Sequence, residues 1–230
     1  MLEFSRFSVL SFDCYGTMID WETGIFSALR PILAAHNKRA SDETLLSIYS
    51  ELEAEAERGD YLSYREVLRR VVRGFGERLG FAPSAAEENS LSDSLANWEP
   101  FGDTVESLKK LQARYKLAVI SNIDDDLFAF TEPKLVKFDH VITAGQARCY
   151  KPCKRIFQIA QARLAVSPEK WLHVGQSIYH DVVPAQAMGL ATAWVNRPSP
   201  RAGGATKVVK GEPHLVVKSL RELAELAGQS

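Results

Sequence analysis

Short apolar runs that stop abruptly at small or polar residues recur along the chain. Ser8 to Phe12 breaks at Asp13-Cys-Tyr-Gly-Thr17, Leu117 to Ile120 at Ser121-Asn122, and Trp171 to Val174 at Gly175; His140 to Thr143 and Ala191 to Val195 are further runs. Runs this short, bounded by turn-forming residues, predict buried strands. Between them, Thr104 to Arg114, with Val105, Leu108 and Leu111 on one face, and Arg155 to Leu164 repeat at helical spacing. Strands alternating with helices predict a doubly wound parallel α/β sheet, Rossmann-like in character, whose ligands bind beyond the strand C-termini. Asp13, Ser121, Lys151 and the stretch from Gly175 to Asp181 fall at or just after those ends, so the pattern predicts that they converge on one crevice.

One interval breaks the alternation. From about Trp21 to Trp98 apolar residues recur at helical spacing with almost no strand signal, most clearly over Glu43 to Glu57 and Tyr64 to Phe75, and Pro100-Phe-Gly102 marks the return. The expected organisation is a core of residues 1–19 and 99–230 with a helical cap of residues 20–98. Within the cap, Tyr49, Tyr61 and Tyr64 are candidate ligand contacts. The acidic stretch Glu51 to Glu57 reads as a solvated face, with Glu53 and Glu57 exposed beside Ala54 and Ala56. Trp21 and Trp98 read as hinge packing, Asp124 to Asp126 as a charge run at a helix N-terminus, His173 as a core histidine, and Pro198 to Gly204 as a mobile loop.

Composition narrows the classes. A length of 230 residues allows one α/β core with an insertion. With 28 Lys plus Arg against 29 Asp plus Glu, the net charge of -1 offers no field to gather nucleic acid or an anionic membrane. The N-terminal residues show no signal-peptide pattern and no stretch reaches spanning length, so a cytoplasmic protein is expected. Cys14, Cys149 and Cys153 are too few for a disulfide scaffold and read as ordinary thiols.

An aspartate after a strand, followed by Gly and Thr, is common in turns. Four segments in order are far more specific: Phe12-Asp-Cys-Tyr-Gly-Thr17, Ile120-Ser-Asn122, Tyr150-Lys-Pro152, and Val174-Gly-Gln-Ser177 ending at Asp181. Together they resemble the ordered motifs of the haloacid dehalogenase superfamily, over nearly the whole chain. Most phosphatase members place a second aspartate, the general acid, where this chain has Tyr15; the motif here is similar to that of the type II 2-haloacid dehalogenase branch. Gln176 stands where the last motif usually supplies its first magnesium-binding carboxylate. The resemblance therefore implies a metal-free, cofactor-free hydrolase, with weak Mg²⁺ binding by Asp13 and Asp181 left open.

The implied mechanism has Asp13 displace a leaving group at C2 of a small carboxylic acid, forming an ester that water then hydrolyses. Lys151 is expected to hold Asp13 ionised, since a neighbouring cation favours the charged form. Asp181 and His180 would manage the water. Tyr15, Thr17, Ser121, Asn122, Gln176, Ser177 and Tyr179 are the candidate substrate-binding residues. The expected partner is a small-molecule carboxylate, with homodimerisation open. The chain departs from the dehalogenase pattern in three places: it has no arginine from Glu43 until Arg58, Phe157 follows the motif lysine where a tyrosine is usual, and Ile178 replaces an asparagine. These departures bring in an alternative, opening of an epoxide or aziridine carboxylate, with His180 or Tyr179 donating the proton. A magnesium-dependent phosphatase and a non-catalytic binding protein are the remaining readings.

Overall fold

The computed structural model describes residues 2–201 and 204–229; Ala202 and Gly203, in the expected loop, and both terminal residues lie outside the described residues. The strands are β1 (Val9–Phe12), β2 (Lys116–Ser121), β3 (His140–Thr143), β4 (Trp171–Gly175), β5 (Ala191–Val195) and β6 (Leu215–Val217). They form one sheet in the order β3-β2-β1-β4-β5-β6, and every pairing is parallel. Five of these strands match the apolar runs. The sixth spans three residues at the sheet edge with Val216 half exposed, and so leaves no burial pattern to read.

Helices cover both faces, which is why the central strands carry apolar side chains on both. On one face α6 (Thr104–Gln112) and α11 (Leu220–Gly228) pack on each other, with Leu108, Leu111, Leu220 and Leu223 in the core that holds Leu10, Phe12, Val119 and Val174. On the other, α9 (Lys154–Leu164) and α10 (Val183–Gln186) set Ile156, Phe157 and Ala185 against Val9, Ile120, Ile142 and Trp171.

The helical insertion follows β1 and its turn. It contains α1 (Trp21–Ala35), α2 (Asp42–Ala56), α3 (Tyr64–Leu79), α4 (Ala85–Glu88) and α5 (Ser90–Ser94). Ser41 and Ser63 cap α2 and α3 by accepting from the backbone N–H groups of Thr44 and Glu66. The chain leaves and re-enters the core side by side, for Ile19 bridges to Pro100 and the Asp20 N–H donates to Glu99 O at 2.9 Å. The insertion is clasped to the core on its far side. Tyr61 donates to Asp124 Oδ1 at 2.6 Å, the Arg65 N–H to Asp124 Oδ2 at 3.3 Å, and Tyr150 of the core to Leu62 O at 2.8 Å. Asp124 is indeed the N-cap position of α7 (Asp125–Thr131), but Asp124 and Asp126 are engaged by cap residues rather than only by solvent.

A second fixture steadies the turn after β1. Asp103 accepts from Arg197 Nη1 at 3.0 Å and from the Leu220 N–H at 2.7 Å, while Arg197 Nε donates to Thr17 O at 2.9 Å. Burial raises the Asp103 pKa, but Arg197, together with the Leu220 and Arg221 N–H groups, more than offsets it and holds the carboxyl below its ordinary value. A lowered folded-state pKa stabilises above the unfolded value, and that stabilisation is lost as pH falls through the folded one. Asp103→Ala leaves Arg197 unpaired in a largely enclosed position and is expected to cost about 3 kcal/mol at neutral pH, read from urea unfolding; the deficit should shrink at acid pH.

Candidate active site

Extending the register of β1 by one residue sets Asp13 level with the ends of its neighbours, since Phe12 pairs with both Val119 and Val174. The Asp13 N–H is fixed to Val174 O at 2.9 Å. Lys151, carried by the loop beyond β3, reaches the ends of the central strands and is 1% exposed. Its ammonium donates to Asp13 Oδ1 at 2.8 Å, to Asp181 Oδ1 at 2.7 Å and to Ile120 O at 2.9 Å. An ammonium has three N–H groups, so all are committed. Thr17 donates to Asp13 Oδ2 at 2.8 Å and accepts from the Gln176 N–H at 2.8 Å, so it lies behind the carboxylate rather than facing a ligand.

Asp181 sits on a single π-type turn (Ile178–Val182) that Ser177 caps by accepting from the His180 N–H. Its carboxyl presses on the end of β4 so closely that a Cβ at Gly175 would meet Asp181 Cγ at 2.4 Å, which only glycine allows. A buried chain of polar groups supports it. Trp171 Nε1 donates to Ser11 Oγ at 2.7 Å, Ser11 lies 2.8 Å from His173 Nδ1, and His173 Nε2 lies 3.1 Å from Asp181 Oδ1. All three contacts are satisfied when Ser11 donates to Nδ1 and Nε2–H donates to Asp181. His173 is thus a core histidine, as its apolar strand implied, and also a direct support of the site.

Two carboxylates share one ammonium, so with both ionised the cluster would hold one uncompensated negative charge inside the protein. The two acids divide unequally. Burial opposes ionisation of Asp181, but Lys151 and His173 outweigh it and hold its pKa well below the ordinary aspartate value. For Asp13 burial is the larger influence, and with Asp181 beside it the pKa is raised despite Lys151. The expected lowering by the lysine therefore falls on Asp181. Burial disfavours the charged lysine, yet the two aspartates together raise its pKa above the ordinary value.

The cluster opens into a cavity of about 30 Å³, room for roughly two waters. Asp13, Tyr15, Ser121, Asn122, Lys151, Gln176, Ser177, His180 and Asp181 all line it. The Ser121 hydroxyl and His180 Nε2 are enclosed without a hydrogen-bond partner among the described residues. Asn122 is more occupied: its Oδ1 accepts from the Lys151 N–H at 2.7 Å and its Nδ2 donates to Lys151 O at 3.2 Å, so it braces the lysine loop. Tyr15 is anchored, its hydroxyl 2.8 Å from Thr131 Oγ1. Tyr179 does not line the cavity; it lies outside it, edge-on to His180 with Lys207 over its ring. His180 is also ill suited to donating a proton, because burial lowers its pKa to about 4 and leaves the imidazole neutral at pH 7.

Three lining residues were not anticipated: Trp21, Glu53 and Thr206. Trp21 is thus more than hinge packing. Glu53 overturns the reading of a solvated acidic face, being 5% exposed, although Glu51 and Glu55 are exposed as expected and Glu57 is intermediate. It follows Tyr49 by one helical turn on the stripe of α2 that holds Leu45, Leu46 and Ala56. That spacing was the available signal, and alternation with alanine obscured it. Tyr64 and Tyr49 both donate to Glu53 Oε1, at 2.6 and 3.1 Å. Burial raises Glu53 to a pKa of about 7, with Asp13 adding to the shift.

Among the described residues no group of three His, Cys, Asp or Glu side chains is placed to hold a metal. Asp13 and Asp181, the pair left open for magnesium, both direct Oδ1 at Lys151, and their Oδ2 atoms accept from Thr17 and the Ser177 N–H. With Gln176 uncharged beside them, this donor set does not fit a divalent cation.

Sheet, cap and the paired strand-end aspartate and lysine define a capped, doubly wound α/β enzyme. The chain belongs to the haloacid dehalogenase-like hydrolases, whose family model matches residues 7–189. It is 26% identical over 224 residues to the (S)-2-haloacid dehalogenase of Pseudomonas sp. (strain YL), covering 94% of this chain and 93% of that one. It is 28% identical over 201 residues to (S)-2-haloacid dehalogenase 4A of Burkholderia cepacia, covering 81% of each. The fold is similar to that of the L-2-haloacid dehalogenase from Xanthobacter autotrophicus solved with chloropropionic acid covalently bound. There the TM-score is 0.80 at 20% identity, over 96% of this chain and 98% of that one.

Removing the shared cation tests the electrostatic account. Lys151→Met should lower stability by about 3–5 kcal/mol at pH 7, and the loss should narrow as pH falls and Asp13 takes up a proton. Chemical denaturation at pH 7 and pH 5 measures both, and a loss independent of pH would contradict the account.

Proposed function

We propose that this hydrolase acts on a small 2-substituted carboxylic acid, with Asp13 attacking C2 and water hydrolysing the resulting ester. The observation that carries the reading is the buried Asp13–Lys151–Asp181 cluster opening into one small cavity. Of its two carboxylates, Asp13 is the one with the raised pKa, and a more basic, poorly solvated carboxylate is the stronger nucleophile. Asp181, held ionised, keeps Lys151 charged. The lysine in turn fixes Asp13 in position for attack, the larger part of catalysis when both reactants are held in place. The Ser121 hydroxyl is free to meet the substrate carboxylate, and the enclosed Nε2 of His180, neutral at pH 7, is placed to hydrogen-bond the hydrolytic water.

Tyr15 favours displacement at carbon over phosphoryl transfer. A phosphatase needs an acid there for its leaving alcohol, and burial raises this phenol well above its ordinary pKa while Thr131 occupies it. The curated relatives, named as 2-haloacid dehalogenases, support a substrate of that size and class. The cap favours a second reading, ring opening of an epoxide or aziridine carboxylate: the Glu53 carboxyl lines the cavity of Asp13, in which a departing halide would need a cation. A helical cap over residues 20–98 and a core of the rest fit either reaction.

The test is turnover of 2-chloropropionate and of strained-ring carboxylates by wild-type protein and by Asp13→Asn. The variant should lose at least about a thousandfold in kcat on whichever acid is a substrate. The wild-type rate should also fall on the acid side, as pH drops through an Asp13 pKa above the ordinary aspartate value. Full activity in Asp13→Asn would remove this residue from the reaction.

A further inference from the structure

We propose that Glu53 is the acid that protonates the leaving atom, and that the substrate is a small carboxylic acid whose C2 belongs to an epoxide or aziridine ring. The proposal rests on the Asp13 ester reading and specifies its leaving group.

The geometry is specific. Glu53 lines the same cavity as Asp13 and comes from α2 in the cap, whereas Asp13 and Lys151 come from loops of the core. Both tyrosines that touch Glu53 donate to Oε1, leaving Oε2 outside that pair of bonds as the place for the acid proton. Charge points the same way. Among the described lining residues Lys151 is the one lysine or arginine, and its three N–H groups are bound to Asp13, Asp181 and Ile120 O. Arg30 on α1 pairs with Asp42 at the surface, and Arg58 is exposed. A halide would depart toward a carboxyl with no free cation to receive it, at a high cost in a buried site. A ring oxygen or nitrogen takes a proton instead and leaves no separate anion.

The steps balance. An Asp13 oxygen bonds to C2 as the C2–heteroatom bond breaks; its electron pair stays on the heteroatom, which takes the Glu53 proton. Glu53 is then a carboxylate and Asp13 an ester. Water adds to the Asp13 carbonyl carbon and the ester bond from that carbon to the C2 oxygen breaks; one proton of the water goes to the C2 oxygen, which leaves as a hydroxyl, the other returns to Glu53, and Asp13 is a carboxylate again. The product is a 2-hydroxy acid with a hydroxyl or amino group on C3.

The ionisable groups around Glu53 are Tyr49 on α2, Glu57 just past its C-terminal end, Tyr64 on α3, and Asp13, Lys151, His180 and Asp181 from the core. Burial raises both phenols well above their ordinary range, Lys151 stays charged, and His180 titrates at about 4, which leaves Glu53 at about 7 to act as an acid at neutrality. Burial also raises Glu57, but it does not line the cavity and lies 3.4 Å from Asn122 Nδ2.

The probes are oxirane-2-carboxylate, aziridine-2-carboxylate and 2-chloropropionate, assayed against wild type, Glu53→Gln, Glu57→Gln, Tyr64→Phe and Asp13→Asn. Wild type should open a ring acid, with kcat falling as pH rises through about 7, because the acid must be protonated. Glu53→Gln should lower ring opening by about 10²–10⁴-fold and abolish that alkaline limb; Glu57→Gln should keep it. Tyr64→Phe removes a hydrogen bond that lowers the Glu53 pKa, so it should move the limb to higher pH, a readout that survives if Glu53→Gln fails to fold. No ring opening by wild type, an alkaline limb unchanged in both Glu53→Gln and Tyr64→Phe, or equal losses on ring acid and chloropropionate would each overturn the role of Glu53. Turnover surviving in Asp13→Asn would instead overturn the ester reading beneath it.

Discussion

One ammonium group holds two carboxylates inside this protein, and much of the site is arranged around that imbalance. Lys151 could not remain charged at 1% exposure without its aspartates, and the aspartates could not both be buried without it. The sheet supplies the geometry. Three neighbouring strand ends bring Asp13, the Ile120 carbonyl and Gly175 to one level, and the Gly175 position admits the Asp181 carboxyl that any larger residue would displace. The Trp171, Ser11 and His173 chain extends the same network through the core, so polar residues in otherwise apolar strands have a partner at each step.

The cap closes that imbalance off from water. Its contacts sit at two edges: the paired crossings at Ile19 and Pro100, and the clasp of Tyr61 and Arg65 on Asp124 with Tyr150 on Leu62. Between them α2 presents Glu53 to the pocket, held from behind by Tyr49, and α3 adds Tyr64 beside it. Exclusion of water raises Asp13 and Glu53 together. In the proposed chemistry the same burial thus makes one carboxylate a nucleophile and brings the other close to neutrality as an acid, which is how environment assigns two like groups opposite tasks.

How far the sequence revealed this depends on the kind of signal. Strands buried on both faces appear as unbroken apolar runs, so β1 to β5 were legible, and the polar residues that end β1, β2 and β4 located the crevice. Helical spacing revealed α2 and α3 and the long gap between strands. β6 was not legible, being three residues at an edge. Nor was the role of Glu53. Its neighbours Glu51 and Glu55 are exposed, and nothing local distinguishes the one glutamate whose helical phase matches Tyr49. Tyr179 and Thr17 show the converse: adjacency in the chain to motif residues placed one outside the cavity and the other behind Asp13. Electrostatics was the least legible of all, because which aspartate takes the benefit of Lys151 is decided by burial and by His173, a residue eight positions from Asp181 on another element.

The most direct test of the central claim follows oxygen through a single turnover. With enzyme in excess over substrate in heavy-oxygen water, attack by Asp13 puts the isotope into the peptide carrying that aspartate and leaves the first product unlabelled. Mass spectrometry of both reads the outcome. Heavy oxygen passing straight into the product, with the Asp13 peptide unchanged, would show that water attacks the substrate directly and would contradict the account.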